Sequence, residues 1–147
     1  MAAMSDYLEA RLIDFLFRGN PGSFTAPSAL HIALYTTAPT DAGGGVEVSG
    51  GGYARATYNA STTNWANVQA SGTGVSSGPS AQTSNSAPIN FNAPTAAWGT
   101  IVAFGIHDAA TAGNLLWWGL LSANKSVGAN DAPPSFLAGA LTITLDT

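Results

Sequence analysis

The strongest candidate for chemistry is a stretch with two triple glycines, at positions 43–45 and 50–52, within TDAGGGVEVSGGGYAR (residues 40–55). Glycine-rich loops that bind phosphate lead into a helix N-terminus and add a Lys-Ser/Thr pair. This stretch has no lysine, places Glu47 where it would repel an anion, and leads into a segment with strand character. We therefore predict a loop that enters a strand, with its glycines at positive φ or in tight conformations and without a phosphate site.

Two groups of polar residues could support acid–base or metal chemistry. The pair His107–Asp108 lies at a predicted strand end, but adjacent residues on a strand point to opposite faces, so the two side chains should not act together. The other histidine, His31, has no carboxylate at the spacing of metal ligands. The charged residues near the N-terminus share one short helix with mutual pairing distances, which is typical of a solvated face: Asp6, Glu9, Arg11, Asp14 and Arg18. We predict a hairpin-end hydrogen-bonding role for His107–Asp108, and neither catalysis, a metal site nor a cofactor.

The tryptophans could stack against sugar rings. Trp117 and Trp118 are neighbours on a predicted strand, so one indole should face the core and the other an interface or solvent. Trp65 and Trp98 could join either set. A glycan contact therefore stays open as an alternative.

Composition limits the classes of partner. The chain has 147 residues, a net charge of −4, and 8% charged residues, where globular proteins average about 25%. Its four basic residues are scattered, so no nucleic-acid footprint is expected, and the lack of cysteine excludes disulfides and thiolate chemistry. No secretory signal and no apolar run of about 18 residues is present, so no membrane association is expected. We predict that subunit contacts cover much of this weakly charged surface.

One segment has helical periodicity. Residues 5–18 begin with Ser5 as N-cap and end before Gly19. A buried stripe is predicted at Leu8, Leu12, Phe15 and Leu16. Apolar residues also lie on the other side, at Ile13 and Phe17, so the helix should pack against both its own domain and a neighbour.

The remainder, residues 29–146, predicts short strands. Candidate strands are residues 29–36, 53–59, 87–92, 100–107, 115–121 and 140–146, and a seven-residue connection closes the hairpin between 107 and 115. We predict one domain over residues 1–147 that is mainly β: an antiparallel β-sandwich, jelly-roll-like, with one N-terminal α-helix. Residues 69–86 are nearly all Ser, Gly, Thr, Ala and Gln, which predicts a long exposed loop.

The order of these segments resembles a family of small virion proteins of tailed bacteriophages, often labelled phage tail fibre protein. The most specific parts are LYTTAPTDAGGGVEVSGGGYAR and WGTIVAFGIHDAATAGNLLWWG, and the resemblance covers nearly the whole chain except residues 59–82. It implies a virion structural role without an active site. It leaves open whether the protein lies on the head or the tail.

Residues and resemblance together predict a capsid decoration (cement) protein that binds the major capsid protein as a homotrimer and stabilises the shell. The alternatives are a tail fibre or tail-tip component and an adhesion module that binds host-surface glycan. With few charges available, attachment should depend weakly on salt. The predicted contact elements are the helix, the loop 41–53 and one of the paired indoles, with these residues named: Tyr7, Leu8, Ile13, Phe17, Glu47, Tyr53, Trp117 and Trp118.

Overall fold

The structure is a computed structural model that describes residues 2–20, 22, 24–66 and 81–145. Within these residues the chain forms one helix and ten strands. In chain order they are β1 (Ala2–Met4), α1 (Asp6–Phe17), β2 (Ala29–Thr37), β3 (Val46–Glu47), β4 (Ala56–Asn59), β5 (Gln82–Ser84), β6 (Ile89–Asn90), β7 (Gly99–His107), β8 (Leu115–Val127), β9 (Ser135–Phe136) and β10 (Thr142–Thr144).

The main sheet is antiparallel, with strand order β1-β8-β7-β2-β3, and β4 also pairs with β2. Two smaller antiparallel pairs, β5 with β10 and β6 with β9, lie outside this sheet. The hairpin between β7 and β8 has the predicted seven-residue connection. The described residues are therefore mainly β with a single helix near the N-terminus, as predicted, and are consistent with a β-sandwich.

The core lies between the main sheet and the two smaller pairs. Ile32 and Ile106 contribute from the main sheet, while Ile89 and Ile143 contribute from the smaller pairs. The opposite face of the main sheet is also covered near its centre, where Ala33, Tyr35 and Ala103 form a second buried cluster. β2 is therefore buried on both faces: Ile32 and Leu34 belong to the main core, and Ala33 and Tyr35 lie on the opposite face.

The helix has the predicted ends but not the predicted buried stripe. Ser5 accepts a hydrogen bond from the backbone N–H of Leu8, and Gly19 follows the helix at φ 64°. Leu8 is buried and Leu12 is half-buried, but Phe15 and Leu16 are exposed, so burial is confined to the first turns of α1. The expectation of a continuous buried stripe was wrong for the second half of the helix. No helix among the described residues is long and apolar enough to cross a membrane.

Several strand limits differ from the predictions. β5 lies inside the loop predicted at 69–86 and pairs with β10, so that expectation was wrong for residues 82–84; residues 69–80 lie outside the described part of the chain. β8 extends six residues beyond its predicted end at Leu121. The pairing of β8 with β7 shifts register between Ile101 and Ala103, so β8 contains extra residues in an irregular bulge. The hydrophobic pattern of the sequence does not predict this bulge.

Candidate interaction surface

The two glycine triplets have the backbone conformation that the sequence predicted. All six glycines, 43–45 and 50–52, have φ between 57° and 92°, a region that side chains with a Cβ rarely adopt. β3 lies between the triplets and no helix follows them among the described residues, so their amides do not form a phosphate-binding helix start. The triplets are turns that bring β3 and β4 alongside β2 within the main sheet.

Two of these glycines also lie where no side chain fits. A Cβ on Gly45 would meet the backbone N of Pro39 and the backbone O of Thr37 at 2.7 Å. A Cβ on Gly51 would come within 2.9 Å of the backbone O of Ala96. By contrast, Gly44 and Gly50 have open space around the Cβ position. Close backbone packing therefore requires glycine at residues 45 and 51 and disfavours a side chain at residue 52, whereas conformation alone favours glycine at 43, 44 and 50.

Glu47 and Arg55 form the centre of a polar cluster, defined here as Tyr35, Glu47, Tyr53, Arg55 and His107. Arg55 donates through Nε to Glu47 Oε1 and through Nη2 to Oε2, both at 2.8 Å, in a bidentate pair. The exposed fraction is 8% for the Arg55 side chain and 26% for that of Glu47. Burial raises the pKa of Glu47, but the hydrogen bond and charge of Arg55 outweigh it, so the pKa of Glu47 lies below its ordinary value.

Arg55 also holds the turn between β7 and β8. Its Nη1 donates to the backbone oxygens of Ala109 and Ala112, each at 2.8 Å. At the base of the same turn, Asp108 accepts from the backbone N and the side-chain Nδ2 of Asn114, both at 2.7 Å. The predicted hairpin-end role is therefore observed for Asp108.

His107 has a different environment from Asp108. Its Nε2 shares a 2.8 Å hydrogen bond with the Tyr35 hydroxyl, and its Nδ1 has no hydrogen-bond partner among the residues that the structure describes. Burial, followed by the nearby positive charge of Arg55, lowers the pKa of His107 to about 4. His107 thus also forms a hydrogen bond at this end of the hairpin, but its partner is Tyr35 on β2, inside the protein, and not the turn itself. No group of three or more acidic or histidine side chains in the described segments could hold a metal ion.

This burial predicts a loss of stability in mild acid. The unfolded chain takes up the His107 proton near pH 6.5 and the folded chain only near pH 4, so the free energy of unfolding falls as the pH drops through this window. Allowing for solvent screening, we expect a loss of about 1–2 kcal/mol. Urea unfolding at pH 7, 5.5 and 4.5 measures it.

The matched variant for this measurement is His107→Gln, which keeps a hydrogen-bonding group beside Tyr35 but does not titrate. The pH dependence of the wild-type chain, minus that of the variant, isolates the contribution of His107. The contribution of Glu47 is present above its unfolded pKa of about 4.3 and is lost only below that value, so it lies beneath this window. Equal slopes for the two chains between pH 6.5 and 4.5 would contradict the prediction.

The paired indoles lie on opposite sides of β8, as predicted. Trp117 packs against the main core, whereas Trp118 is partly exposed and donates from Nε1 to Asp41 Oδ1 at 2.9 Å. Trp98 is buried and donates to the backbone O of Gly51, and Trp65 packs edge-on against Tyr58. Trp118 thus holds the glycine-rich stretch. Contact with a host-surface glycan stays a prediction.

The predicted contact residues fall into two groups. Three are committed to their own chain: Leu8 is buried, Glu47 is ion-paired, and Tyr53 packs on Trp98 while donating to Glu47 and accepting from the Leu34 N–H. Tyr7, partly exposed, packs against the Arg11 guanidinium. Ile13 and Phe17 have most of their surface free. Leu8 has little surface left for a partner, because it already packs inside its own chain. A role in subunit contacts stays a prediction for all of the named residues.

The free residues belong to a continuous apolar end of the helix, which we call the distal helix patch: Ile13, Phe15, Leu16 and Phe17. Their exposed fractions are 52%, 44%, 63% and 78%, respectively. At 100° per residue they occupy about 200° of the helix circumference, and Asp14 pairs with Arg18 at 2.9 Å on the remaining side. A helix end that is apolar over so wide an arc is typical of one covered by other protein.

A groove of about 270 Å³ lies beside the base of the same helix. It is lined by apolar side chains and one threonine, without a charged residue; the lining includes Phe24, Ala26, Leu30, Ala60, Trp65 and Trp117. We call it the apolar groove. The chain therefore has two apolar surfaces, the distal helix patch and the apolar groove. Within the described residues no side chain covers the patch and none fills the groove.

One residue that joins three segments of the chain, Asn85, was not predicted from the sequence. Asn85 is fully buried; its Nδ2 donates to the backbone oxygens of Ala87 and Leu137, and its Oδ1 accepts from the N–H of Leu141. It thereby joins β5, the segment before β6, and the segment before β10. It lies inside a run of small polar residues, so nothing in its sequence context distinguishes it from a loop asparagine.

Together these features define a structural class of protein: its buried polar side chains serve mainly to fix loops on a β-scaffold, and several large apolar side chains are exposed. The sequence matches the family described as Podophage GP4 fiber I protein gp80 over residues 3–144, so the chain belongs to that family. It is thus a phage virion structural protein. A comparison with curated proteins finds no significant match.

Proposed function

We propose that this chain is the building block of a short fibre on the tail of a podophage, and that it acts as a homo-oligomer, most simply a homotrimer. The observation that carries the proposal is the family match, which spans residues 3–144 and therefore includes the helix, the glycine stretch and the β-scaffold. The role is mechanical: the chain holds its neighbours in place and converts no substrate.

The surface chemistry supports assembly with other protein chains. With only four basic and eight acidic residues, the surface offers few ionic contacts, whereas the distal helix patch offers a large apolar one. Apolar contacts are weakened little by salt, because screening acts on charges. We therefore expect the protein to stay on the virion in moderate salt, about 0.5 M NaCl.

Location on the particle tests the proposal. Gold-labelled antibodies against the purified chain should mark the tail in electron micrographs, and quantitative mass spectrometry should give a few to tens of copies per virion. Antibodies against the major capsid protein provide the matched control for head labelling. Labelling of the whole head, with hundreds of copies, would contradict the fibre proposal and favour the capsid decoration predicted from the sequence; absence from particles would contradict both.

A further inference from the structure

We propose that the distal helix patch of one copy docks into the apolar groove of a second copy of this chain, in a head-to-tail contact. The inference deepens the proposed function, since it rests on the self-assembly proposed there. Two copies would join through the distal helix patch of one and the apolar groove of the other, and both surfaces consist of described residues.

The shape of the patch favours insertion over side-by-side packing. Its side chains cover about 200° of the helix, and parallel helices in a bundle bury a narrower stripe. Only the side that carries the Asp14–Arg18 ion pair is polar. The apolar side chains of such a helix end are all covered if the end inserts into a groove while the Asp14–Arg18 ion pair stays in solvent.

The groove matches the patch in size and chemistry. A cavity of about 150 Å³ is enough for a benzene ring, so a groove of 270 Å³ has room for one or two aromatic side chains such as Phe15 and Phe17. The groove lining carries no charge, so it offers nothing to an ionic partner. An uncharged helix end is the complementary occupant.

The area is sufficient for an assembly of copies. Given the exposed fractions of its four residues, the patch has roughly 400 Å² of apolar surface, within the range of the largest patches on monomers. The groove is smaller than the patch, so the rim of the groove must cover part of it; with similar areas buried on both sides, one contact removes roughly 800 Å² of total surface. Each chain of a closed ring takes part in two such contacts, which together remove roughly 1,600 Å², the size of a standard interface. A head-to-tail contact repeats around a ring, so a trimer would contain three such contacts and no unfilled surface of either kind.

Two single variants and their mixture test this geometry. Phe17→Asp places a charge on the patch, and Ala60→Arg fills the mouth of the groove at an exposed alanine. We expect light scattering with size exclusion to give three times 14.8 kDa for the wild-type chain and 14.8 kDa for each variant, with affinity reduced at least about 100-fold. An equimolar mixture of the variants should form a dimer, because the intact patch of one fits the intact groove of the other.

Leu137→Asp is the matched control, since Leu137 is exposed to 68% and lies outside both surfaces. It should leave the oligomer intact, and circular dichroism should show that all variants are folded. Loss of assembly in Phe17→Asp but not in Ala60→Arg would overturn the groove as the receptor, in favour of symmetric helix packing. An oligomer unaffected by either variant would overturn this inference while leaving the proposed function standing, which the tail labelling tests separately.

Discussion

Gly45→Ala is expected to destabilise the protein by about 3–5 kcal/mol and to lower its Tm by about 10 °C or more. The residue has φ 77°, so alanine would be strained even in open space. In addition, the new Cβ would meet backbone atoms of Pro39 and Thr37 at 2.7 Å, and backbone cannot move aside as a flexible side chain can. Urea and thermal unfolding measure the loss.

Gly44→Ala is the matched control for this prediction. It has nearly the same φ, 78°, but no atom within 4 Å of the Cβ position, so only conformational strain of about 1 kcal/mol is expected. The same contrast should repeat in the second triplet, where Gly51 is crowded and Gly50 is open. Equal losses for Gly44→Ala and Gly45→Ala would show that close packing at residue 45 does not matter.

Removal of the carboxylate at Glu47 is expected to cost about 3 kcal/mol. In Glu47→Ala the nearly buried guanidinium of Arg55 keeps its two carbonyl partners but loses its counter-charge. The Tyr53 hydroxyl loses an acceptor in the same step. Chemical denaturation of Glu47→Ala, Arg55→Met and the double variant gives the coupling energy, which we expect to be at least about 1 kcal/mol.

The exposed ion pair of the helix provides the control. Asp14 and Arg18 are 2.9 Å apart, but the Arg18 side chain is mostly in solvent, so Asp14→Ala should cost no more than about 0.5 kcal/mol. Losses of similar size in Asp14→Ala and Glu47→Ala would mean that the Glu47–Arg55 pair acts as an ordinary surface pair. A double variant whose loss is the sum of the single losses would mean that the two side chains are independent.

Features set by local chemistry were predictable from the sequence. The cap at Ser5, the end at Gly19, the hairpin between β7 and β8 and the positive φ of the glycine triplets each depend on a few adjacent residues. The same holds for the opposite faces of Trp117 and Trp118, which follow from the two-residue period of a strand. The β-rich class followed from the number of such segments.

Features that depend on distant partners were not predictable. The second half of α1 has the same apolar pattern as the first, and only the position of the sheet decides that Leu8 is buried while Leu16 is exposed. β5 has no hydrophobic signal of its own and becomes a strand because β10 pairs with it. Arg55 reaches a turn 54 residues further along the chain, a contact that no local pattern encodes.

The start of α1 is attached to the rest of the molecule through two separate backbone hydrogen bonds. The N–H of Ser5 donates to Leu116 O, on β8, and the N–H of Asp6 donates to Asp41 O, in the glycine-rich stretch, each at 2.9 Å. A pulling force on the helix would therefore divide between the sheet and the loop at one point. Such a shared anchorage means that detaching the start of α1 requires hydrogen bonds to both the sheet and the glycine-rich stretch to break.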